Sequence, residues 1–149
     1  MNEQAIAEFL TEQKVKGATR RTWGVGTVIL KATARSVQAT MSPLRMSAQI
    51  ITSKNREIAI RLVGEVLSSN ALEIMDPSRF SAETTTFCAL LGQRLPYGAD
   101  QVCLVFITIR ALSDETSQVL LEAYGKGWFQ AQVSNDMRRL KRAIADRLA

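Results

Sequence analysis

The spacing of apolar residues along the chain predicts a mainly α-helical protein. Near the amino terminus, Ile6, Phe9 and Leu10 recur with the spacing of one helix face. Asn2 is a suitable N-cap, so the first helix is expected to run from there to about Lys16. The glycine that follows is a typical helix stop.

Further segments show helical periodicity. A helix over 27–41 is predicted from a seam at intervals of three and four residues, formed by Leu30, Ala34, Val37 and Met41. Shorter helices are expected after Ser81 and after Ser113, where a cap residue precedes apolar positions. The last helix is predicted to begin at Ser134 or Asn135. Its seam consists of Met137, Leu140, Ile144 and Leu148.

The segment 48–63 fits either a strand or a helix. Ile58, Ile60 and Leu62 alternate in the manner of a strand that pairs with the preceding residues across a turn. The helical interpretation uses Ser53 as the cap, and its apolar stripe continues well beyond the segment. We predict a helix, because the pattern persists past the usual length of a strand.

The segment 102–112 is apolar almost throughout, and Thr108 and Arg110 are its only polar residues. Such a run is buried on every side, as a central helix or as an inner strand. Its β-branched residues favour a strand, whereas its length and the composition of the chain favour the helix that we predict. The expected fold is therefore mainly α, a compact bundle of about six to seven helices. The alternative is an α+β fold with a small sheet from 48–63 and 102–112.

The composition is that of one ordered domain covering residues 1–149. Apolar residues make up 46% of the chain and charged residues 22%, and eight Gly with three Pro provide few turn formers. The amino-terminal residues include acids where a signal peptide would have basic residues. No apolar run approaches the roughly 20 residues that span a bilayer. We therefore expect a cytoplasmic protein without a membrane span.

Several kinds of chemistry are excluded by what the chain lacks. It contains no histidine, which removes Ser-His-Asp and Cys-His catalysis and most zinc sites. Cys88 and Cys103 stand in apolar surroundings and are expected to be buried thiols, with a disulfide or a thiol ligand as alternatives. Gly24-Val25-Gly26 lacks the other residues of a dinucleotide motif or a phosphate loop. The carboxylates are scattered singly, so the sequence predicts a non-enzymatic protein with no metal and no cofactor.

The positive charge is concentrated in one segment, residues 13–56. This segment holds nine Lys and Arg residues and no Asp or Glu, whereas the whole chain has 19 basic and 14 acidic residues. A dense cationic patch without carboxylates is what contact with a line of phosphates requires, and an exposed Trp23 would stack on a base. The alternative is a solvated basic face with that tryptophan buried. The candidate nucleic-acid contacts are Lys14, Lys16, Arg20, Arg21, Trp23, Lys31, Arg35, Arg45, Lys54 and Arg56.

Basic residues elsewhere have simpler interpretations. The secondary basic cluster on the last helix consists of Arg138, Arg139, Lys141 and Arg142. It either widens the cationic surface or is an ordinary solvated face, and we favour the second interpretation. Arg110 requires a partner if it is buried, because an unpaired interior charge is costly. A structural ion pair with a carboxylate such as Glu73 or Glu83 is expected.

Together these features predict a non-enzymatic protein that binds a nucleic-acid backbone, as a small helical subunit of a larger nucleoprotein assembly. Its expected partners are RNA or DNA and other protein subunits. The alternative is a structural or assembly protein, such as a virion, filament or scaffold subunit, whose basic face meets an acidic partner.

Overall fold

The computed structural model describes residues 2–21, 44–94, 101–125 and 130–149, with the backbone alone for 14–21, 130 and 131. The strands are β1 (Leu44–Thr52), β2 (Glu73–Met75), β3 (Phe87–Gln93), β4 (Gln101–Ala111) and β5 (Ser117–Gly125). They form one antiparallel sheet with the order β1-β5-β4-β3-β2. The helices are α1 (Glu3–Arg21), α2 (Arg56–Asn70) and α3 (Gln130–Leu148), with a 3-10 helix at Pro77–Phe80.

Strand β4 is the centre of the sheet, and residues 102–107 are all buried. Strands β5 and β3 flank it, and helices cover both of its faces, so its side chains are apolar on both sides. Strand β1, at the edge, alternates between partly buried and exposed residues from Leu44 to Ile51. This period of two is expected where one face of a strand packs on a core and the other meets solvent.

Helices α2 and α3 pack on one face of the sheet. The buried side of α2 includes Leu62, Val63 and Leu67, which recur at helical spacing against alternate residues of the strands. Asn55 caps this helix, because its side chain accepts a hydrogen bond from the Ile58 amide at 3.0 Å. The side chains of β4 and β5 that meet the two helices are Cys103, Val105, Ile107, Ile109, Val119, Leu121 and Ala123.

Helix α1 and the 3-10 helix pack on the opposite face. A row of aromatic rings joins them to the sheet: Phe9 meets Phe80, Phe80 meets Phe106, and Phe106 meets Tyr124. Each neighbouring pair is T-shaped, with ring centroids 5.4, 5.7 and 5.6 Å apart. The edge-to-face arrangement directs the positive edge of one ring at the negative face of the next. Phe80, on the 3-10 helix, therefore packs between α1 and the sheet, beside the direct contacts of α1 with β4.

The predicted helical bundle is wrong, because a five-stranded antiparallel sheet forms the middle of the protein. Residues 102–112, predicted as a helix, form β4 over Gln101–Ala111. The short helices expected after Ser81 and Ser113 are replaced by β3 and β5. The cause is the covering of both sheet faces, which gives inner strands the continuous apolar runs of a buried helix.

The sheet also differs from the small sheet considered as the alternative. Of 48–63, residues 48–52 belong to β1, whereas the part from Arg56 onward belongs to α2. Helix α1 continues through Gly17 to Arg21, although that glycine was expected to end it. The helix predicted over 27–41 lies outside the described residues.

Two helical stripes are confirmed. Ile6, Phe9 and Leu10 are buried on α1. The seam of the last helix is buried as well, in α3, which begins at Gln130. None of the helices in the described part of the chain is long and apolar enough to cross a membrane.

Candidate functional site

Strand β4 projects beyond the end of its neighbour β3. Pairing between them begins with Phe87 and Ile107, and β4 continues to Ala111. Two side chains satisfy the backbone of the projecting part. The Ile109 amide donates to the Thr86 hydroxyl at 3.1 Å, and Arg56 Nε donates to the Ile109 carbonyl at 3.0 Å. The guanidinium at the start of α2 is thereby fixed at the end of the sheet.

A concavity of about 740 Å³ lies at this end of the sheet. We call it the sheet-end depression; its lining includes Arg56, Thr84, Thr108, Ile109, Arg110 and Leu120. Thr108 and Arg110 share a face of β4 because they are two residues apart, and Leu120 is the cross-strand partner of Thr108. Among the described residues that line it, none is an Asp or a Glu. The depression therefore combines two cations, two hydroxyl groups and an apolar floor.

A chain of polar side chains connects the depression to the sheet edge. Arg110 Nη2 donates to Gln118 Oε1 at 3.3 Å, and Gln118 Nε2 donates to Gln49 Oε1 at 2.9 Å. These three residues lie on β4, β5 and β1, on the face of the sheet that α1 partly covers. The network restricts the Arg110 side chain without neutralising its charge.

The cations of segment 13–56 do not form one described strip. Arg45, near the start of β1, pairs with Glu122 on β5, with Nη2 and Oε1 3.1 Å apart. Lys54 and Arg56 follow the other end of β1, roughly 20 Å or more away at about 3.3 Å per residue. The Lys54 amide donates to the Thr52 hydroxyl at 3.2 Å.

Four of the other candidate contacts in that segment lie on α1, and three lie outside the described residues. The backbone of α1 includes Lys14, Lys16, Arg20 and Arg21 in its second half. Trp23, Lys31 and Arg35 lie outside the described residues. The secondary basic cluster of Arg138, Arg139, Lys141 and Arg142 is exposed on α3, which is compatible with both interpretations of it.

Arg110 is exposed, and its hydrogen-bond partner is the neutral Gln118. The predicted burial of Arg110 with a carboxylate such as Glu73 or Glu83 is therefore wrong. The misassignment arose because the apolar run was taken as buried to its end, whereas burial along β4 ends at Ile109, beyond its pairing with β3.

The two cysteines are free, buried thiols, as predicted. Burial raises the pKa of the Cys88 thiol to about 12, and it raises that of Cys103 to about 12 as well. Because the thiolate is the nucleophilic form, neither side chain is activated for covalent chemistry at neutral pH.

Asp136 of α3 is a buried carboxyl group that lines a second cavity, of about 100 Å³. Oδ1 accepts a hydrogen bond from Gln132 at 3.0 Å, whereas Oδ2 has no partner among the described residues. Burial raises the pKa of Asp136, while Gln132 and the Arg139 charge act in the opposite direction. The negative charge of this carboxylate also contributes to the raised pKa of Cys103 on β4.

Replacing Asp136 by asparagine is expected to make the protein less sensitive to rising pH. Because burial raises the folded-state pKa of Asp136, the stability that it contributes is present below the unfolded pKa and is lost as pH rises through the folded value. The variant should therefore gain on the wild type as pH rises above the ordinary carboxyl range, until the group is ionised in the folded state as well. Urea unfolding at a series of rising pH values measures the difference. A constant difference would contradict the buried charge.

Two patterns in the sequence indicate the positions of these residues. Thr108 and Arg110 interrupt the apolar run at a spacing of two, which indicates a shared strand face. Asp136 lies three residues after Val133 and four before Leu140, so helical spacing places it in the apolar seam.

No protein-family model matches the chain, and neither does any curated protein sequence. Among solved structures, a START superfamily protein from Mycobacterium smegmatis is 11% identical, with coverage of 70% of this chain and 96% of that one and a TM-score of 0.40. The Zhui aromatase/cyclase from a Streptomyces strain is 8% identical, with coverages of 71% and 91% and a TM-score of 0.41. The di-domain ARO/CYC protein BexL is 12% identical, with coverages of 70% and 46% and a TM-score of 0.40.

The predicted function changes together with the fold. The described chain is not the helical bundle of the predicted subunit, and the cationic face on which the nucleic-acid prediction rested is not seen as one strip, since Arg45 pairs with Glu122 and lies far from Lys54 and Arg56. The prediction of a helical nucleic-acid-backbone-binding subunit is therefore wrong, and the alternative of an assembly protein with the same basic face loses the same premise.

Proposed function

We propose that the chain is a non-catalytic binding protein for a small anionic molecule, which occupies the sheet-end depression. The observation that carries the proposal is the convergence of Arg56 and Arg110 on one concavity with no carboxylate in its described lining. A guanidinium presents a planar fork of donors that matches a carboxylate or a phosphate group. The volume of about 740 Å³ lies within the range of small-molecule sites.

The remaining lining defines the kind of anion. Leu120 supplies an apolar surface, and the hydroxyl groups of Thr84 and Thr108 supply hydrogen bonds of either direction. A ligand with one anionic group and an apolar body satisfies both parts. Arg56 is held through Nε by the Ile109 carbonyl, which leaves its two terminal nitrogens for the ligand and reduces the entropy lost on binding.

We expect the ligand to be bound without being chemically converted. The depression offers hydroxyl groups but no base to activate them, since the chain has no histidine and the described lining has no carboxylate. Both thiols lie in the core. Binding in the cytoplasm remains the expected setting.

Binding of small anions can be measured directly by NMR titration. Benzoate and phenyl phosphate should shift the resonances of Thr108 and Leu120 in a saturable way, whereas benzyl alcohol and benzylamine should not. Arg110→Gln should weaken the binding about 10- to 100-fold, because a charge-assisted hydrogen bond contributes about 1.5–3 kcal/mol. Its stability should stay within about 0.5 kcal/mol of the wild type, since the side chain is exposed.

Arg142→Gln is the matched control, because it removes an exposed arginine on α3 that does not line the depression. It should leave the affinity for benzoate unchanged. Equal weakening by both substitutions would indicate a non-specific effect of net charge and contradict the site. Recovery of a chemically altered ligand after incubation would contradict the absence of catalysis.

A further inference from the structure

The cavity beside Asp136 is separate from the sheet-end depression. It lies where α2, β3 and α3 meet, and its lining consists of Asn70, Leu91, Gly92, Asp136, Arg139 and Leu140. Its volume of about 100 Å³ is several times the roughly 10–15 Å³ that one water molecule needs. The space therefore admits a small polar group as well as water.

Two oxygen acceptors belong to the residues that line this cavity. Asp136 is only 6% exposed, and its Oδ2 atom has no hydrogen-bond partner among the described residues. The Asn70 side chain donates through Nδ2 to the Val66 carbonyl at 2.7 Å, which leaves its Oδ1 atom as an acceptor. A buried carboxylate oxygen without a donor is costly, so a ligand that supplies the donor gains the energy of a charge-assisted bond.

We propose that this cavity binds the ammonium group of a small primary amine, with Asp136 Oδ2 as its main acceptor. An ammonium group carries three donors and a positive charge, which the carboxylate and the amide oxygen complement. Leu91 and Leu140 line the same space and suit the carbon attached to the nitrogen. An alkali ion would find few oxygen ligands, and Ca²⁺ takes about six to eight. Within the described residues, no group of three or more His, Cys, Asp or Glu is placed to hold a metal.

The charge of Arg139 is expected to weaken the binding of an amine in this cavity. Arg139 also lines the cavity, and its charge lowers the pKa of Asp136 against the effect of burial. A cation beside the cavity repels a second cation. Arg139→Gln should therefore bind the amine more tightly than the wild type, by a few-fold at low salt.

The test uses methylammonium as the probe, because it consists of the proposed group and one carbon. The full chain at about pH 8 should show saturable shifts of the Leu91 and Gly92 amide resonances, with a dissociation constant on the order of 10 mM. Tetramethylammonium, which has no donor, should cause no such shifts at equal ionic strength. Sodium should cause none either, so a response to sodium alone would overturn the amine assignment.

Asp136→Asn should abolish the shifts, and Asp146→Asn is the matched control because Asp146 is an exposed acid on the same helix. Persistence of the response in Asp136→Asn would overturn the proposal. If that variant fails to fold, the comparison of methylammonium with tetramethylammonium on the wild type still decides it. The result is independent of the anion site, because benzoate binding is measured at Thr108 and Leu120.

Discussion

Alanine in place of Gly92 is expected to destabilise the protein by at least about 3 kcal/mol. Gly92 lies in β3 with φ at 128°, a conformation that residues with a side chain rarely adopt. A Cβ atom there would stand 2.0 Å from the Gln101 carbonyl oxygen and 2.8 Å from the Val102 Cα atom. Both atoms are backbone of β4, so relief of the clash would break the pairing between Gly92 and Val102.

Gly64→Ala is the matched control for this substitution. Gly64 lies within α2, where a Cβ atom would meet the Phe87 ring at 3.4 Å, an ordinary contact distance. Because glycine weakens a helix interior, alanine there should stabilise the protein by about 0.5–1 kcal/mol. Urea unfolding of both variants measures the contrast. Similar stabilities for the two variants would mean that Gly92 of β3 does not pair with Val102 of β4 as described.

Truncation of Phe80 to alanine is expected to cost about 3–5 kcal/mol. Its ring is 1% exposed and stands between Phe9 and Phe106, so the substitution leaves a cavity and removes two edge-to-face contacts. Arg79, whose guanidinium lies 4.8 Å from the Phe9 ring centroid and 5.6 Å from that of Phe80, would lose part of its support as well. Denaturant unfolding gives the free energy directly.

Hydrogen exchange in α1 distinguishes the loss of the Phe80 contacts from a general weakening of the fold. Because Phe80 packs between α1 and the sheet, hydrogen exchange in α1 should accelerate more than exchange in α3, which packs on the other face. Phe80→Leu, which keeps most of the buried area, should show about half the loss of stability. Equal acceleration in both helices would contradict a specific contribution of Phe80 to the packing of α1 on the sheet.

The helices at the two ends of the chain were predictable because one face of each packs on the sheet. An amphipathic pattern survives in that situation, and it placed Ile6, Phe9 and Leu10 in the core together with the seam of α3. The inner strands lose this information because both of their faces are covered. For β4, local composition could not distinguish a strand from a buried helix, and the choice depended on partners distant in sequence.

The candidate sites were only partly accessible from the sequence. Arg56 was among the predicted contacts, and Arg110 was recognised as an exception in an apolar run. Their common location depends on where β3 ends relative to β4, which is a matter of register and not of composition. The cavity beside Asp136 was not accessible from the sequence, because the position of this residue in the seam becomes significant only when α3 is packed against its neighbours.

The hydrogen bond from Arg56 to the Ile109 carbonyl also bears on intermolecular strand pairing. A strand that outruns its neighbour presents unused backbone groups, which are the usual template for intermolecular pairing. Here one such carbonyl is occupied by a guanidinium, and the adjacent amide is bound by Thr86. With both groups of Ile109 bound within the chain, Arg56 lowers the tendency of this strand end to pair with another copy and aggregate, whether or not a ligand is present.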